Sequence, residues 1–254
     1  MANDRFFNTQ SFPLDPREND PYRGVVIFSD FNTKNSDWKV QKSTAGAGTA
    51  FTDVAYDSTY GLNPTFANTA KIVTSAGILQ DSFSRICDRA TTETATLKGG
   101  LAEMDFLVRA KWDRAASAGA QVFLGFFSDY VPSVDGNDPE NSVAFVAGAT
   151  ANVWSLQITK TGVSPKFTKT TTAAINDWNT FGIYVNKTAT DVVFTINGVI
   201  VHRQTKNIPD AVVQTTAARC FSVGAEIMAV NTIGTVKTLS LDYMKFRYFH
   251  DRTS

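Results

Sequence analysis

Two carboxylates stand two residues apart in a stretch whose pattern predicts a β-strand. Residues 101 to 112 read LAEMDFLVRAKW, in which apolar and polar residues alternate. Successive side chains of a strand point to opposite faces, so Glu103 and Asp105 share one face. A nucleophile and an acid on one face can flank a glycosidic bond, so glycoside hydrolysis is the first chemistry that this pair suggests.

The residue types give little support for a catalytic triad or a metal site. The chain has two histidines, His202 and His250, and no G-x-S-x-G elbow, so no serine or cysteine triad is expected. Cys87 and Cys220 could pair, but a reducing compartment favours two buried thiols, and neither has a histidine at zinc-ligand spacing. Residues 135 to 138, DGND, lack the bidentate glutamate of a calcium loop. We predict no metal and no cofactor.

Aromatic side chains offer a different chemistry, because their flat faces can stack on pyranose rings. Trp112, Trp154 and Trp178 fall on predicted strands or strand edges, where burial in a core is the usual outcome. Tyr130 lies in a polar loop, so we expect it to be more exposed than the tryptophans. We name Tyr130 and Trp154 as candidate glycan contacts.

The segment from 178 to 201, WNTFGIYVNKTATDVVFTINGVIV, predicts an antiparallel meander. Its β-branched and aromatic residues recur with a period of two, which is typical of strands with one buried face. Asn197-Gly198 between two such runs predicts a type I′ hairpin, since both residues accept a positive φ. The residues predicted to point into the core are Phe181, Ile183, Val185, Phe194 and Ile196.

Similar short runs follow one another from residue 24 to residue 250, separated by turn residues. Helical periodicity is nearly absent, and only residues 114 to 119 and 209 to 218 could form helical turns. About a dozen strands without intervening helices indicate a two-sheet sandwich or a barrel.

Composition excludes several classes of protein. Hydrophobic residues make up 43% of the 254 residues and charged residues 19%, which is enough apolar material for one large core. The formal net charge is zero, whereas a non-specific nucleic-acid binder needs an excess of basic residues. No window approaches 18 consecutive apolar residues, so no membrane span is expected. The N-terminus lacks the pattern of a signal peptide.

Residues 1 to 23 differ from the rest of the chain. Three prolines in this segment oppose both a helix and a central strand. Its phenylalanines Phe6, Phe7 and Phe12 have no regular period and suit docking on a partner surface. We predict an extended N-terminal arm over 1–23 and a β domain over 24–254. The alternative for the arm is a disordered terminus.

The order of features along the β domain is more specific than any one of them. These features are Ser29-Asp30-Phe31 with Trp38, then Met104 to Trp112, Phe123 to Phe127, Trp154 to Ile158, Trp178 to Val185, Ile208-Pro209 and Leu241 to Phe246. Together they resemble the concanavalin A-like lectin/glucanase jelly roll, in the variety often met in virion proteins of tailed bacteriophages. The resemblance implies an all-β, two-sheet antiparallel jelly-roll sandwich.

The resemblance also bears on activity. Glucanases of this superfamily carry an E-x-D-x-x-E pattern on one strand, and here Val108 stands where the last glutamate belongs. A retaining glycosidase without one of its two carboxylates loses its mechanism, so we predict no enzyme.

For the role of the chain, the resemblance implies a structural protein of the virion, which assembles in the host cytoplasm. Within that class we favour a bacteriophage capsid decoration or cement protein, attached partly through its N-terminal arm. Its partners would be capsid or other virion proteins, and it would form a homo-oligomer, most often a trimer in this setting. The alternative is a carbohydrate-binding module that recognises host glycans on a phage tail or head fibre.

Overall fold

A computed structural model describes residues 24–29, 38–42, 52–57, 69–73, 83–87, 95–113, 120–128, 139–148, 152–229 and 238–249. Within these ranges the chain forms fifteen strands, which lie in two antiparallel sheets of eight and seven strands. The predicted all-β, two-sheet jelly-roll sandwich is therefore confirmed. The arm over residues 1–23 and the loop that contains Tyr130 lie outside the described residues.

The larger sheet, called sheet A, has the strand order β13-β12-β11-β6-β15-β4-β3, and β1 also pairs with β15. Its strands are β1 (Gly24–Ser29), β3 (Thr52–Asp57), β4 (Thr69–Val73), β6 (Glu103–Asp113), β11 (Asn179–Val185), β12 (Val192–Ile196), β13 (Val199–Gln204) and β15 (Thr238–Phe249). Strand β6 lies between β11 and β15, so it occupies the middle of the sheet.

The smaller sheet, called sheet B, has the strand order β10-β9-β8-β7-β14-β5-β2. Its strands are β2 (Lys39–Lys42), β5 (Phe83–Cys87), β7 (Ala120–Phe127), β8 (Ser142–Ala147), β9 (Val153–Thr159), β10 (Phe167–Ala174) and β14 (Ser222–Ala229). Many neighbours within each sheet are distant in sequence, which is typical of a jelly roll.

Within residues 209–218 the chain forms a turn at 211–213, and a short 3-10 helix spans Ala217–Arg219, so only the end of the predicted helical turn is helical. In the described part of the chain, no helix has the length and apolar character needed to cross a membrane.

The core lies between the two sheets and is rich in aromatic rings. Phe181, Ile183, Val185, Phe194 and Ile196 are all buried there, as the period of two predicts. The ring of Phe145 on β8 lies 4.8 Å from that of Phe181 and 5.4 Å from that of Phe194, centroid to centroid. Contacts of this kind join sheet B to sheet A at the centre of the sandwich.

One glycine sets how closely the sheets approach. Gly125 on β7 has a φ of 138°, and a Cβ added there would lie 2.5 Å from Cδ1 of Ile183 on the opposite sheet. Only a residue without a side chain fits this position, because both the backbone conformation and the space exclude a larger one.

The β12–β13 hairpin turns as the sequence predicts. Asn197 and Gly198 have φ values of 51° and 80°, which are the positive values that a type I′ turn requires. At the same edge of the sandwich, His202 on β13 stacks on Phe167 of β10, with ring centroids 4.8 Å apart. The stacked pair joins the edge strands of the two sheets.

Replacing Phe194 with alanine should lower the free energy of unfolding by about 3–5 kcal/mol, because the ring is fully buried and its loss leaves a cavity between the sheets. Urea unfolding followed by tryptophan fluorescence measures the effect. Val199→Ala is the matched control, since Val199 is 66% exposed on the neighbouring strand and its truncation should change stability by less than about 0.5 kcal/mol. Equal losses in the two variants would contradict the assigned register.

Candidate functional site

The carboxylate pair suggested by the sequence does not form an open catalytic site. Asp105 lies on the outer face of sheet A, yet it is 4% exposed. Arg247 on β15 donates from Nε to both of its carboxylate oxygens, at 2.8 Å and 2.7 Å. Val108 points into the core and pairs with Phe181 and Met244 on the flanking strands. The guanidinium therefore occupies the oxygens that a nucleophile would need.

The candidate glycan contact Trp154 lies in the core of the sandwich rather than on its surface. The side chain has no exposed surface, and its ring packs 4.8 Å from that of Phe181 in the core. Trp154 has the same parity along β9 as the buried Leu156 and Ile158, so alternation directs all three inward. Trp112 is buried in the same core.

Trp178 is the tryptophan that reaches solvent. It immediately precedes β11, in which Phe181 and Ile183 face the core, so alternation directs an even-numbered residue to the outer face. Its side chain is half-buried. The guanidinium carbon of Arg109 and the Nζ of Lys111 each lie 5.3 Å from its ring centroid, within the range of cation–π attraction.

A β-bulge gathers further polar groups beside this ring. Strand β15 carries one extra residue between Leu241 and Tyr243, so Asp242 and Tyr243 both lie opposite Arg109. Nη1 of Arg109 donates to Oδ2 of Asp242 at 2.5 Å. Tyr243 reaches across β6, and its hydroxyl lies 3.3 Å from Oγ1 of Thr180. Burial raises the pKa of Tyr243, so its hydroxyl stays protonated near neutral pH.

We call this half-exposed group the Trp178 platform. Its members come from β6, β11 with the residue before it, and β15. They are Trp178, Arg109, Lys111, Thr180, Asp242 and Tyr243.

The turn that carries Trp178 is fixed by the side-chain amides of Asn179 and Asn197. Nδ2 of Asn179 donates to the carbonyl oxygens of Ala174 and Asp177, each at 3.1 Å. Asn197 donates to Oδ1 of Asn179 at 2.9 Å, and its own Oδ1 accepts from the backbone N–H of Thr180 at 2.8 Å. Since the backbone on both sides of Trp178 is tied down, the indole can be presented without ordering a loop on binding.

The outer face of sheet B is closed at its centre. Phe123, Phe127, Ala144 and Val146 form a second apolar cluster there, and each is at most 5% exposed. Glu226, which pairs with Phe123 across the β14–β7 ladder, is also buried. Of the two outer faces, that of sheet A therefore offers the open aromatic and charged surface among the described residues.

Metal and thiol chemistry find no site in the described residues. These residues contain no group of three or more His, Cys, Asp or Glu side chains that could hold a metal ion. Cys87 and Cys220 are both buried, and neither forms a disulfide bond in the described part of the chain. Burial raises the pKa of the Cys220 thiol and so disfavours the reactive thiolate.

Solved structures with the same architecture identify the fold. An endo-1,3-β-glucanase from Streptomyces sioyaensis superposes with a TM-score of 0.54 at 12% identity, over 90% of this chain and 97% of that one. Arcelin-5, a lectin-like defense protein from Phaseolus vulgaris, gives 0.55 at 11% identity, over 90% and 99%. The chain has the concanavalin A-like lectin/glucanase fold.

A third structure with this fold, a protein of unknown function from Shewanella oneidensis MR-1, gives a TM-score of 0.62 at 11% identity, over 91% of this chain and 89% of that one. No protein-family model matches the sequence, and no curated protein matches it. Because the lectin/glucanase fold serves both enzymes and lectin-like proteins, function has to be argued from the site.

The buried carboxylate gives the protein a specific pH dependence. Burial raises the pKa of Asp105 from 3.8 to about 6, although Arg247 opposes the rise. Between about pH 4 and pH 6 the folded protein holds a proton that the unfolded chain has released, so this group makes stability fall as the pH rises. Relative to Asp105→Asn, the wild-type free energy of unfolding should fall by up to about 3 kcal/mol across this window.

Urea unfolding at several pH values between 4 and 7 measures the difference. Asp242→Asn is the matched control, because Asp242 lies on the same sheet face and pairs with an arginine but is more exposed. This control should keep the wild-type pH profile. Parallel profiles for wild type and Asp105→Asn would show that Asp105 is ionised throughout.

Proposed function

We propose that this chain is a non-enzymatic carbohydrate-binding domain and that the Trp178 platform is its sugar-binding surface. The observation that carries the proposal is the half-exposed indole of Trp178, held on a rigid turn and surrounded by hydrogen-bonding side chains. A flat aromatic face packs on the apolar side of a pyranose, and polar groups at its rim bind the hydroxyls.

The platform supplies both kinds of contact. The guanidinium of Arg109 and the ammonium of Lys111 are donors, while the hydroxyls of Thr180 and Tyr243 can donate or accept. The fold supports the same reading by analogy, because lectin-like proteins share it.

A non-catalytic role agrees with the state of the carboxylates on β6. Asp105 is buried and bound on both oxygens by Arg247, and Val108 occupies a core position. A glucanase of the same fold provides the contrasting possibility. Hydrolysis of a β-glucan by the purified protein, lost in Glu103→Gln, would establish the enzyme instead.

Trp178→Ala should weaken binding to any glycan that the wild type retains on an array by at least about 2 kcal/mol, or roughly thirtyfold, because it removes the aromatic anchor. The melting temperature should change by less than about 4 °C, since the ring is only half-buried. Phe28→Ala is the matched control, because Phe28 is an aromatic residue 44% exposed on strand β1 of the same sheet. Unchanged binding by Trp178→Ala would place the sugar site elsewhere.

A second candidate function is a structural role on a virus particle, and one observation favours it. Strand β1 pairs with β15 on one side and has no second partner among the described strands. Val25, Val26 and Phe28 on this strand are 48%, 36% and 44% exposed. An apolar edge strand is a ready surface for pairing with another chain.

This edge directly follows residues 1–23, so we propose that the arm and β1 together attach the protein to capsid or other virion proteins. Phe6, Phe7 and Phe12 would be buried in that contact. The protein would then act as a capsid decoration or cement protein, as a homo-oligomer and with trimers favoured, on a bacteriophage virion assembled in the host cytoplasm.

Deleting residues 2–23 should leave the sandwich folded, with a nearly unchanged melting temperature, because the core lies within residues 38–249. The same deletion should abolish incorporation into particles. Calorimetry and an incorporation assay with purified particles measure the two effects, and Trp178→Ala serves as the control that keeps incorporation. Normal incorporation of the truncated protein would remove the arm from the attachment surface.

A further inference from the structure

We infer that the Trp178 platform selects anionic glycans, whose sugars carry carboxylate or sulfate groups. This inference rests on the proposed function, and it adds the class of sugar that the site recognises. Two cations, the guanidinium of Arg109 and the ammonium of Lys111, flank the indole.

The ammonium of Lys111 lies against the ring of Trp178. None of the ion pairs between side chains that the structure describes includes Lys111. Asp177 is exposed in the turn just before Trp178, yet it forms no ion pair with Lys111. Lys111 is nevertheless half-buried in the middle of a sheet, where an uncompensated charge is less well solvated than at a loop tip.

Asp242 binds one nitrogen of the Arg109 guanidinium. Nη1 donates to Oδ2 of Asp242, whereas a guanidinium has five N–H donors. Its side chain is 31% exposed, so the remaining donors can reach an incoming group. Arginine binds carboxylate and sulfate oxygens through two parallel hydrogen bonds, which adds direction to the attraction.

The two cations and the indole form one recognition unit. Both positive groups lie 5.3 Å from the ring centroid, so a pyranose packed on the exposed part of Trp178 brings its substituents within their reach. A carboxylate or sulfate on that sugar would supply a counter-ion to Lys111. A neutral sugar would leave this charge uncompensated and would gain only the stacking contact.

Matched pairs of sugars test the inference. Isothermal titration of the full chain with sialyllactose against lactose, and with trigalacturonate against galactotriose, compares carboxylated sugars with neutral ones. A sulfated oligosaccharide from chondroitin sulfate distinguishes sulfate from carboxylate. We expect at least about tenfold tighter binding of the anionic member of a pair. This preference should shrink as NaCl is raised, because salt screens exposed charges.

Variants of Lys111 separate the effect of its charge on binding from any effect on folding. Lys111→Gln should lose the anionic preference, whereas Lys111→Arg should keep it and shows that the position tolerates replacement. Lys206→Gln removes an exposed lysine from the loop after β13 and should behave as the wild type. If Lys111→Gln keeps the preference, or if neutral sugars bind equally well in a Trp178-dependent manner, the anionic inference is wrong and glycan recognition stands. Binding of none of these sugars, and of no glycan on an array, would overturn both.

Discussion

The two sheets are held at one separation by aromatic rings from both sides, and the outward-facing residues around β11 follow from that packing. Phe145 on sheet B meets Phe181 and Phe194 on sheet A, and Trp154 packs on Phe181 from the same side. Ile183 fits because Gly125 leaves room for its Cδ1. Since these side chains fix which residues of β11 face inward, they also fix that Trp178 and Thr180 face outward. The position of the Trp178 platform is thus a consequence of core register.

The outer face of sheet A combines a closed half and an open half. Asp105 and Arg247 form a buried ion pair on two neighbouring strands, and such a pair contributes little net stability but is costly to break. Along the same strands, toward Trp178, Arg109 and Asp242 remain partly exposed. Similar residue types thus serve a structural role at one end of β6 and remain accessible to a ligand at the other.

Much of the fold and one part of the site could be predicted from sequence. The core residues of β11 and β12 followed from their period of two, and the turn at Asn197-Gly198 followed from residue type, because both are local properties. The alternation of β11 directs Trp178 outward, and the alternation of β9 directs Trp154 into the core. The sequence therefore carried the pattern that separates the two tryptophans. By contrast, the pairing of Asp105 with Arg247 joins residues 142 positions apart. No pattern in a single sequence marks the bulge at Asp242. The ion pair and the bulge both depend on tertiary contacts.

The extra residue in β15 shifts the phase of the strand. Before it, odd-numbered residues such as Leu239 and Leu241 face the core, and after it the even-numbered Met244 and Phe246 do. The inward-facing residues are therefore odd-numbered in the first half of the strand and even-numbered in the second, and both halves bury apolar side chains. Without Asp242 the strand would alternate without interruption, so Met244 and Phe246 would still face the core and Lys245 and Arg247 the outer face. The extra residue therefore adds a carboxylate to the outer face without disturbing the core, and a one-residue deletion there is a change of surface rather than a change of fold.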